Sequence, residues 1–143
     1  MVPHMINRPP LVITAAQRYL SLVKGESIDS WINIWADDAV VEFPYAPDPN
    51  PRRLEGKKAI YEYYKDISPV FELLREKPLV SYLSTDPHVG VFEISLEFFI
   101  RSTGKDYIQD YISVVRVSDD GLIVFYREYF DPVRGQKAFH PEG

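Results

Sequence analysis

The sequence predicts an α+β domain with helices packed on one face of a curved antiparallel sheet, on three observations. Through the first half, apolar residues recur at helical spacing. From Pro78 onward the pattern switches to period two, with turn-forming clusters between the runs. Those runs follow one another without intervening helices, which points to an antiparallel meander rather than a parallel sheet. A chain of 143 residues fits one domain with a core that needs neither disulfide nor metal.

Residues 1–13, with Pro3, Pro9 and Pro10, read as an arm, 14–133 as the domain and 134–143 as a tail that packs over a partner subunit or stays mobile. Thr14-Ala15-Ala16-Gln17 has the capping-box pattern of a helix start, Gly25 is placed to end that helix, and Ala16, Tyr19, Leu20 and Val23 form its apolar face. A second, short helix is capped near Ser27 or Asp29 and gathers Ile28, Trp31, Ile32 and Trp35 on one side. Asp37-Asp38 then turns the chain into a strand, Ala39 to Phe43. From Pro44 to Arg53 four prolines forbid helix and central strand. This stiff loop is a simple connection, or a preformed lid with Tyr45 pointing inward.

Lys57 to Ile67 reads as a third helix with Ile60, Tyr63, Tyr64 and Ile67 on its apolar side, broken by Pro69, and Val70 to Glu76 reads as one more short helix. Pro78 to Ser84 is a short strand, and Asp86 to Gly90 supplies a turn. In Val91 to Arg101, Phe92, Ile94, Leu96, Phe98 and Ile100 share one face. Asp106 to Val117 and Leu122 to Phe130 complete the meander, joined by Ser118-Asp119-Asp120-Gly121.

The last strand carries one carboxylate in an otherwise apolar stripe. By alternation Glu128 shares a face with Leu122, Val124, Tyr126 and Phe130. If that face lines a cavity, Glu128 is the best candidate in the chain for an acid or base with a raised pKa, because burial disfavours the charged form. In the alternative register Ile123, Phe125 and Tyr129 face inward and Glu128 lies in solvent beside Arg127.

Composition removes several function classes. The formal net charge of −5 disfavours nonspecific nucleic-acid binding, and the absence of Cys excludes thiol nucleophiles and thiolate metal sites. His4, His88 and His140 form no pair at metal-ligand spacing, and there is no phosphate-binding glycine motif or nucleophile elbow. No cofactor is expected. Nor does any stretch look long and apolar enough for a bilayer span or a signal peptide, so a soluble cytoplasmic protein is the expectation. Both faces of the last two strands are partly apolar, through Ile108, Ile112 and Val114 and through Ile123, Phe125 and Tyr129. That predicts a homodimer formed through the sheet.

Three segments carry a resemblance: Trp35 to Pro44, Glu55 to Ile60, and Asp120 to Pro132 with its Tyr126-Arg127-Glu128-Tyr129-Phe130 core. They resemble the nuclear transport factor 2 and ketosteroid isomerase superfamily, specifically its SnoaL-like branch, over residues 14 to 133. The resemblance implies a cone-shaped curved sheet wrapped around the N-terminal helices, with a deep, mostly apolar internal pocket. Gln17-Arg18-Tyr19 is similar to the helix bearing the oxyanion-binding tyrosine of steroid isomerases, and Tyr64 to its supporting tyrosine. Their catalytic Asp would fall at Phe43, which argues against steroid-type isomerisation, and their acidic oxyanion partner near Ser113. Arg127-Glu128-Tyr129 resembles the Arg-Glu-Phe segment of the phenazine-biosynthesis PhzA/PhzB proteins of secondary metabolism, where the Glu transfers a proton in the pocket. That implies an inward Glu128 flanked by Tyr126 and Phe130, although the pocket His of those proteins falls at Tyr63.

With Glu128 inward, the expected enclosure comprises Tyr19, Trp35, Phe43, Tyr64, Phe92, Ile94, Gln109, Tyr111, Ser113 and Tyr126, with Tyr45, Tyr63 and Phe130 at its edges. Such aromatic walls suit a small, flat, mostly apolar ligand. A carboxyl among aromatics favours its neutral form and can deliver a proton near neutral pH, while Tyr19 or Tyr111 can donate to a developing oxyanion. The expected function is therefore cofactor-independent acid–base chemistry of isomerase, cyclase or dehydratase type. Catalysis is assigned to Glu128 and Tyr19, acting on a small hydrophobic metabolite that is aromatic or carries a carbonyl. The rival is a non-catalytic ligand-binding or dimerisation module of the same fold.

Overall fold

The computed structural model describes residues 9–140; residues 1–8, including His4, and 141–143 lie outside the described residues. Helix α1 (Leu11–Leu20) begins three residues ahead of the predicted capping box, with Pro10 at its N-cap and no side-chain cap. Core burial explains the difference. Val12, Ala15, Ala16 and Leu20 are buried at helical spacing, so the apolar stripe starts before Thr14. The helix also stops at Leu20, and Gly25, with φ of +110°, closes the turn that follows. Ser27 caps the short α2 (Ile28–Trp31), its hydroxyl accepting from the Ser30 amide at 3.3 Å.

Strand β1 (Trp35–Glu42) runs through Asp37-Asp38, which were expected to turn. Its pairing with β7 (Ile123–Tyr129) jumps from Trp35 opposite Ile123 to Val40 opposite Phe125, so the two aspartates occupy a bulged stretch. After the short β2 (Arg53–Glu55), α3 (Lys57–Ile67) follows Gly56, whose φ is +89°. Ile60 and Tyr64 form its buried face.

The segment predicted as a fourth short helix, Val70 to Glu76, is instead a 3-10 turn over Ser68–Val70 and strand β3 (Phe71–Glu76). Val70, Leu73 and Leu74 fit a helical spacing, but so short a run fits alternation equally well. Pairing with an otherwise open edge decides it, with Phe71 opposite Ile100 and Leu73 opposite Phe98. Strand β4 (Val80–Leu83) pairs with the other half of β5 (Val89–Ile100), and β6 (Lys105–Val117) runs antiparallel to β5 along nearly its full length. The seven-stranded sheet has the order β2-β1-β7-β6-β5-β3, with β4 alongside β5 and the β1–β7 pair parallel.

Helix α1 lies across β5 and β6, and α3 lies on β1 and β2, so both cover the concave face and the core sits beneath them. Residues 132–139, mostly in the predicted tail, form α4 (Pro132–Phe139), capped by Asp131, whose side chain accepts from the Val133 amide at 2.9 Å. Thr103 donates to the Ala138 carbonyl at 2.7 Å, and Phe139 lies edge-on to Phe71 and Tyr107, closing one end of the cone. No helix among the described residues is long and apolar enough to cross a membrane.

Candidate active site

Strand β7 brings Glu128 to the concave face, and a bulge makes the placement legible. Opposite Arg116 and Val117 of β6, the pairing passes from Phe125 to Ile123 and skips Val124. Ile123 and Tyr126 are therefore both fully buried, and alternation resumes so that Tyr126 and Glu128 share the inner face. The sequence-predicted stripe holds from Tyr126 onward but fails at Val124. The rival register is right only for Ile123. Phe125 lies outside between the guanidinium groups of Arg116 and Arg127, and Tyr129 packs against Tyr45.

Around Glu128 the helices supply phenols. From α1, the Tyr19 hydroxyl is 2.7 Å from the Tyr64 hydroxyl of α3 and donates to Glu128 Oε1 across 3.5 Å. The first distance is that of a strong hydrogen bond, and the second is at the outer limit of one. The Tyr19 ring stacks on Tyr126 at 4.0 Å, and the Tyr126 hydroxyl is 2.9 Å from Ser113 Oγ on β6. Trp31 and Trp35 close the cluster from behind, 5.8 and 6.1 Å from the Tyr19 ring. Trp31 donates its indole N–H to the Tyr19 carbonyl at 3.0 Å, whereas the buried Trp35 Nε1 has no partner among the described residues.

These surroundings decide the protonation states. Burial pushes the Glu128 carboxyl up to about 8, with the Tyr19 hydroxyl acting weakly in the opposite direction. No cation is among the groups that set it. Burial, followed by the neighbouring Glu128, also holds the phenols of Tyr19, Tyr64 and Tyr126 well above their ordinary value, so they act as neutral donors.

The structure thus gathers Tyr19, Trp35, Tyr64, Ser113 and Tyr126 with Glu128. Tyr63 meets Tyr64 edge-on and packs at a tilt on Phe43, and Tyr111 packs on Phe130 one row further along the sheet. Other expected positions lie elsewhere. Tyr45 is 57% exposed on the convex side because Ala46, not Tyr45, is the residue of its loop that turns inward. Phe92 is core packing under Val12 and Gly90, and Ile94 borders a separate cavity. Gln109 is buried with its amide fully used: it donates to the Tyr107 hydroxyl and the Asp131 carbonyl and accepts from the Asp110 and Asp131 amides.

Trp31 and Tyr107 were not singled out for the site. Trp31 was visible on the apolar side of α2, and Tyr107 follows from alternation with Gln109, Tyr111 and Ser113. Among the described residues no cluster of His, Asp and Glu could hold a metal ion.

A model of the SnoaL-like domain matches residues 16–126. The Bacillus subtilis protein YesE is 37% identical over 123 residues, which cover 86% of this chain and 83% of that protein. The PhzA/B-like protein PA3332 of Pseudomonas aeruginosa is 30% identical over 119 residues, 83% of each chain. A Bacillus subtilis crystal structure provisionally named an isomerase superposes with a TM-score of 0.83 at 35% identity, covering 92% of this chain and 94% of that one. At lower identity the likeness shows the fold alone. A Δ5-3-ketosteroid isomerase from Mycobacterium sp. has 24% identity, a TM-score of 0.71 and coverage of 91% and 97%. A Mycobacterium tuberculosis protein in complex with estradiol-17β-hemisuccinate has 20% identity, a TM-score of 0.73 and coverage of 86% and 95%. On the domain match and the two relatives, this chain belongs to the SnoaL-like domain family, on the fold of nuclear transport factor 2 and the ketosteroid isomerases.

Proposed function

We propose that this protein is a cofactor-independent acid–base catalyst for a small hydrophobic metabolite bearing a carbonyl group. Glu128 moves the proton, and Tyr19 supports the charge that develops on the substrate oxygen. The observation that carries this reading is the half-buried Glu128 carboxyl turned inward among phenols, pushed up to about 8 by burial, with one long hydrogen bond from Tyr19. At neutral pH such a group is mostly protonated and can give its proton to a carbonyl oxygen or an enol carbon. Once ionised it can take a proton from a carbon beside a carbonyl. A single residue that gives and takes a proton suffices for isomerisation, dehydration or cyclisation.

Tyr19, held by Tyr64 at 2.7 Å, is preorganised to donate to an enolate oxygen and stays neutral through the working range. By the resemblance to steroid isomerases, Phe43 falls at their catalytic-base position, so the reading assigns proton transfer to Glu128 instead. Two structures named as isomerases, and the estradiol hemisuccinate bound by a Mycobacterium tuberculosis protein of the same fold, support a flat apolar ligand.

The test is the Glu128 titration by carboxyl-carbon NMR, combined with deuterium exchange at the α-carbon of 2-tetralone. A midpoint near 8, kept in Tyr126→Phe, and exchange reduced about 100-fold or more in Glu128→Gln support the reading. A midpoint at or below the ordinary value of 4.5 overturns it.

A second reading, a non-catalytic dimerisation module, is favoured by the outer face of β6, where Ile108 and Ile112 are 58% and 48% exposed at the middle of the sheet. Burying that face against a second copy is the simplest way to cover it. Sedimentation equilibrium of wild type and Ile108→Asp tests the dimer, and an unaltered monomeric mass in both discards it.

A further inference from the structure

On the same side of the sheet as Glu128, a cavity of about 360 Å³ lies between the C-terminal end of α1 and the segment formed by Glu76, the last residue of β3, and residues 77–79, which lead to β4. That volume is at the small end of the ~300–1,000 Å³ occupied by small-molecule sites. Its floor is apolar, formed by Leu20, Ile94 and Leu96 with Leu79 packed against the same core.

The rim is charged. Lys24 Nζ stands 3.1 Å from Glu76 Oε1, and Lys77 adds a second ammonium group. Lys24 and Lys77 line this mouth with Glu76 in a chain whose formal net charge is −5, and Lys77 also acts on Asp110 of β6, so Lys24 is the cation the cavity offers. Lys24 also borders a second, open and polar groove beside Arg18 and Ser21, so the cavity opens to solvent around the end of α1.

The ion pair across the mouth is half-exposed, at 45% and 39%, and pairs of that kind contribute about 0–1 kcal/mol. An incoming carboxylate can therefore replace Glu76 as the partner of Lys24 at little cost. The sheet register relates this cavity to Glu128. Ile94 is opposite Tyr111 on β6, and two residues further along β6 Ser113 is opposite Glu128. Ile94 is thus two strands and one pleat repeat from Glu128, roughly 12 Å across the concave face by ordinary strand spacings. The end of the sheet beneath α4, by contrast, is covered by Phe139 against Phe71 and Tyr107.

We propose that this lateral cavity is where the body of the substrate binds, and that the substrate is an aromatic or alicyclic carboxylate of about two rings. Its carboxylate is held by Lys24, its rings lie on Leu20, Ile94 and Leu96, and its far end points past Tyr111 toward Glu128. The direction of the ligand rests on the acid–base reading of Glu128; the site itself does not.

The probes are 2-naphthoate and its neutral isostere 2-naphthamide, titrated into isotope-labelled full-length protein at low salt and followed by amide chemical shifts. The expected result is saturable shifts at Leu20, Lys24, Leu79, Ile94 and Leu96, with naphthoate bound at least fivefold more tightly than naphthamide. Lys24→Met, at an exposed position that leaves folding intact, abolishes the preference without weakening naphthamide. Lys65→Met, a charge-matched control on α3, changes neither affinity. Absence of saturable shifts at those residues, equal affinity for the two probes, or an unchanged preference in Lys24→Met overturns the proposal.

Failure here together with a Glu128 midpoint near 8 leaves the acid–base reading standing. A Glu128 midpoint at the ordinary carboxylate value, with naphthoate still held by Lys24, removes the catalytic reading and keeps the binding site.

Discussion

Replacing Glu128 with Gln tests the desolvated carboxyl through stability alone, without any substrate. The carboxyl ionises near its ordinary value of 4.5 in the unfolded chain and near 8 in the fold. Between those values the unfolded state has released a proton that the folded state still holds. Stability therefore falls as pH rises, by about 1.4 kcal/mol per pH unit. Below the lower value both states are protonated and the contribution vanishes; above the higher one it is constant. From pH 5 to pH 9 the loss amounts to about 4 kcal/mol.

The Glu128→Gln variant has no such proton, so its stability relative to wild type should climb by that amount over the same range. Other shifted groups cancel in the difference, because Glu42, Asp86 and Asp110, held low by their partners, and His88, held high, are present in both proteins. Urea unfolding followed by tryptophan fluorescence at pH 5, 7 and 9, with equal m-values required, measures it. A difference that stays flat within about 0.5 kcal/mol refutes the desolvated carboxyl, since extrapolation error is of that order.

Three further outcomes follow from local geometry. His88 joins two turns by bonds to Asp119 at 2.7 Å and Asp86 at 3.3 Å, which raise its pKa. Its stabilisation is full below the unfolded value of about 6.5 and is lost as pH rises through the higher folded value; the melting temperature of His88→Gln should therefore converge on wild type at alkaline pH. At Gly90, an added Cβ would stand 3.1 Å from the Phe92 ring and 3.2 Å from Val12 Cγ1. Gly90→Ala should lower stability by about 1–3 kcal/mol in the same unfolding assay. Gln109→Leu leaves the Asp131 amide without its partner at the start of α4, while the Asp131 carbonyl keeps only its 3.4 Å bond from Gly135, a loss of about 1–3 kcal/mol that hydrogen exchange should localise to residues 132–139.

The parts of the fold legible in the sequence are those whose pattern was long. Helix α3 was read with its observed bounds because Ile60 and Tyr64 recur at helical spacing across three turns. In β5 the alternation of Phe92, Ile94, Leu96, Phe98 and Ile100 survives in the structure as an unbroken buried face. Short or bulged segments were not legible. Phe71–Glu76 is a strand only because β5 offers it an edge, a fact of tertiary pairing that no local window contains. The skipped Val124 likewise moves Ile123 indoors without disturbing Glu128, and a strict two-residue period cannot express that. Of the candidate site, the aromatic partners of Glu128 could be read from alternation and helical faces. The outward turn of Tyr45 and the engagement of Gln109 depended on contacts far away in sequence.

An inward carboxylate is a stability cost the fold must hold in place, and the convex face shows how. Directly outside Glu128's neighbour, Arg127 Nε donates to Glu42 Oε1 at 2.8 Å, and Arg53 donates to the other oxygen of Glu42 at 2.6 Å. These bonds tie β7 to β1 and β2 in the register that sets Glu42 opposite Arg127. Slipping β7 by one residue would relieve Glu128 of its burial, but it would also turn Arg127 into the aromatic cluster and Tyr126 out of its stack with Tyr19. Both changes are worse than a neutral carboxyl, which needs only to keep its proton. The same ion pairs that look like surface decoration thus hold the carboxyl in a place where burial favours its protonated form at neutral pH. That protonated state is what the acid–base reading requires.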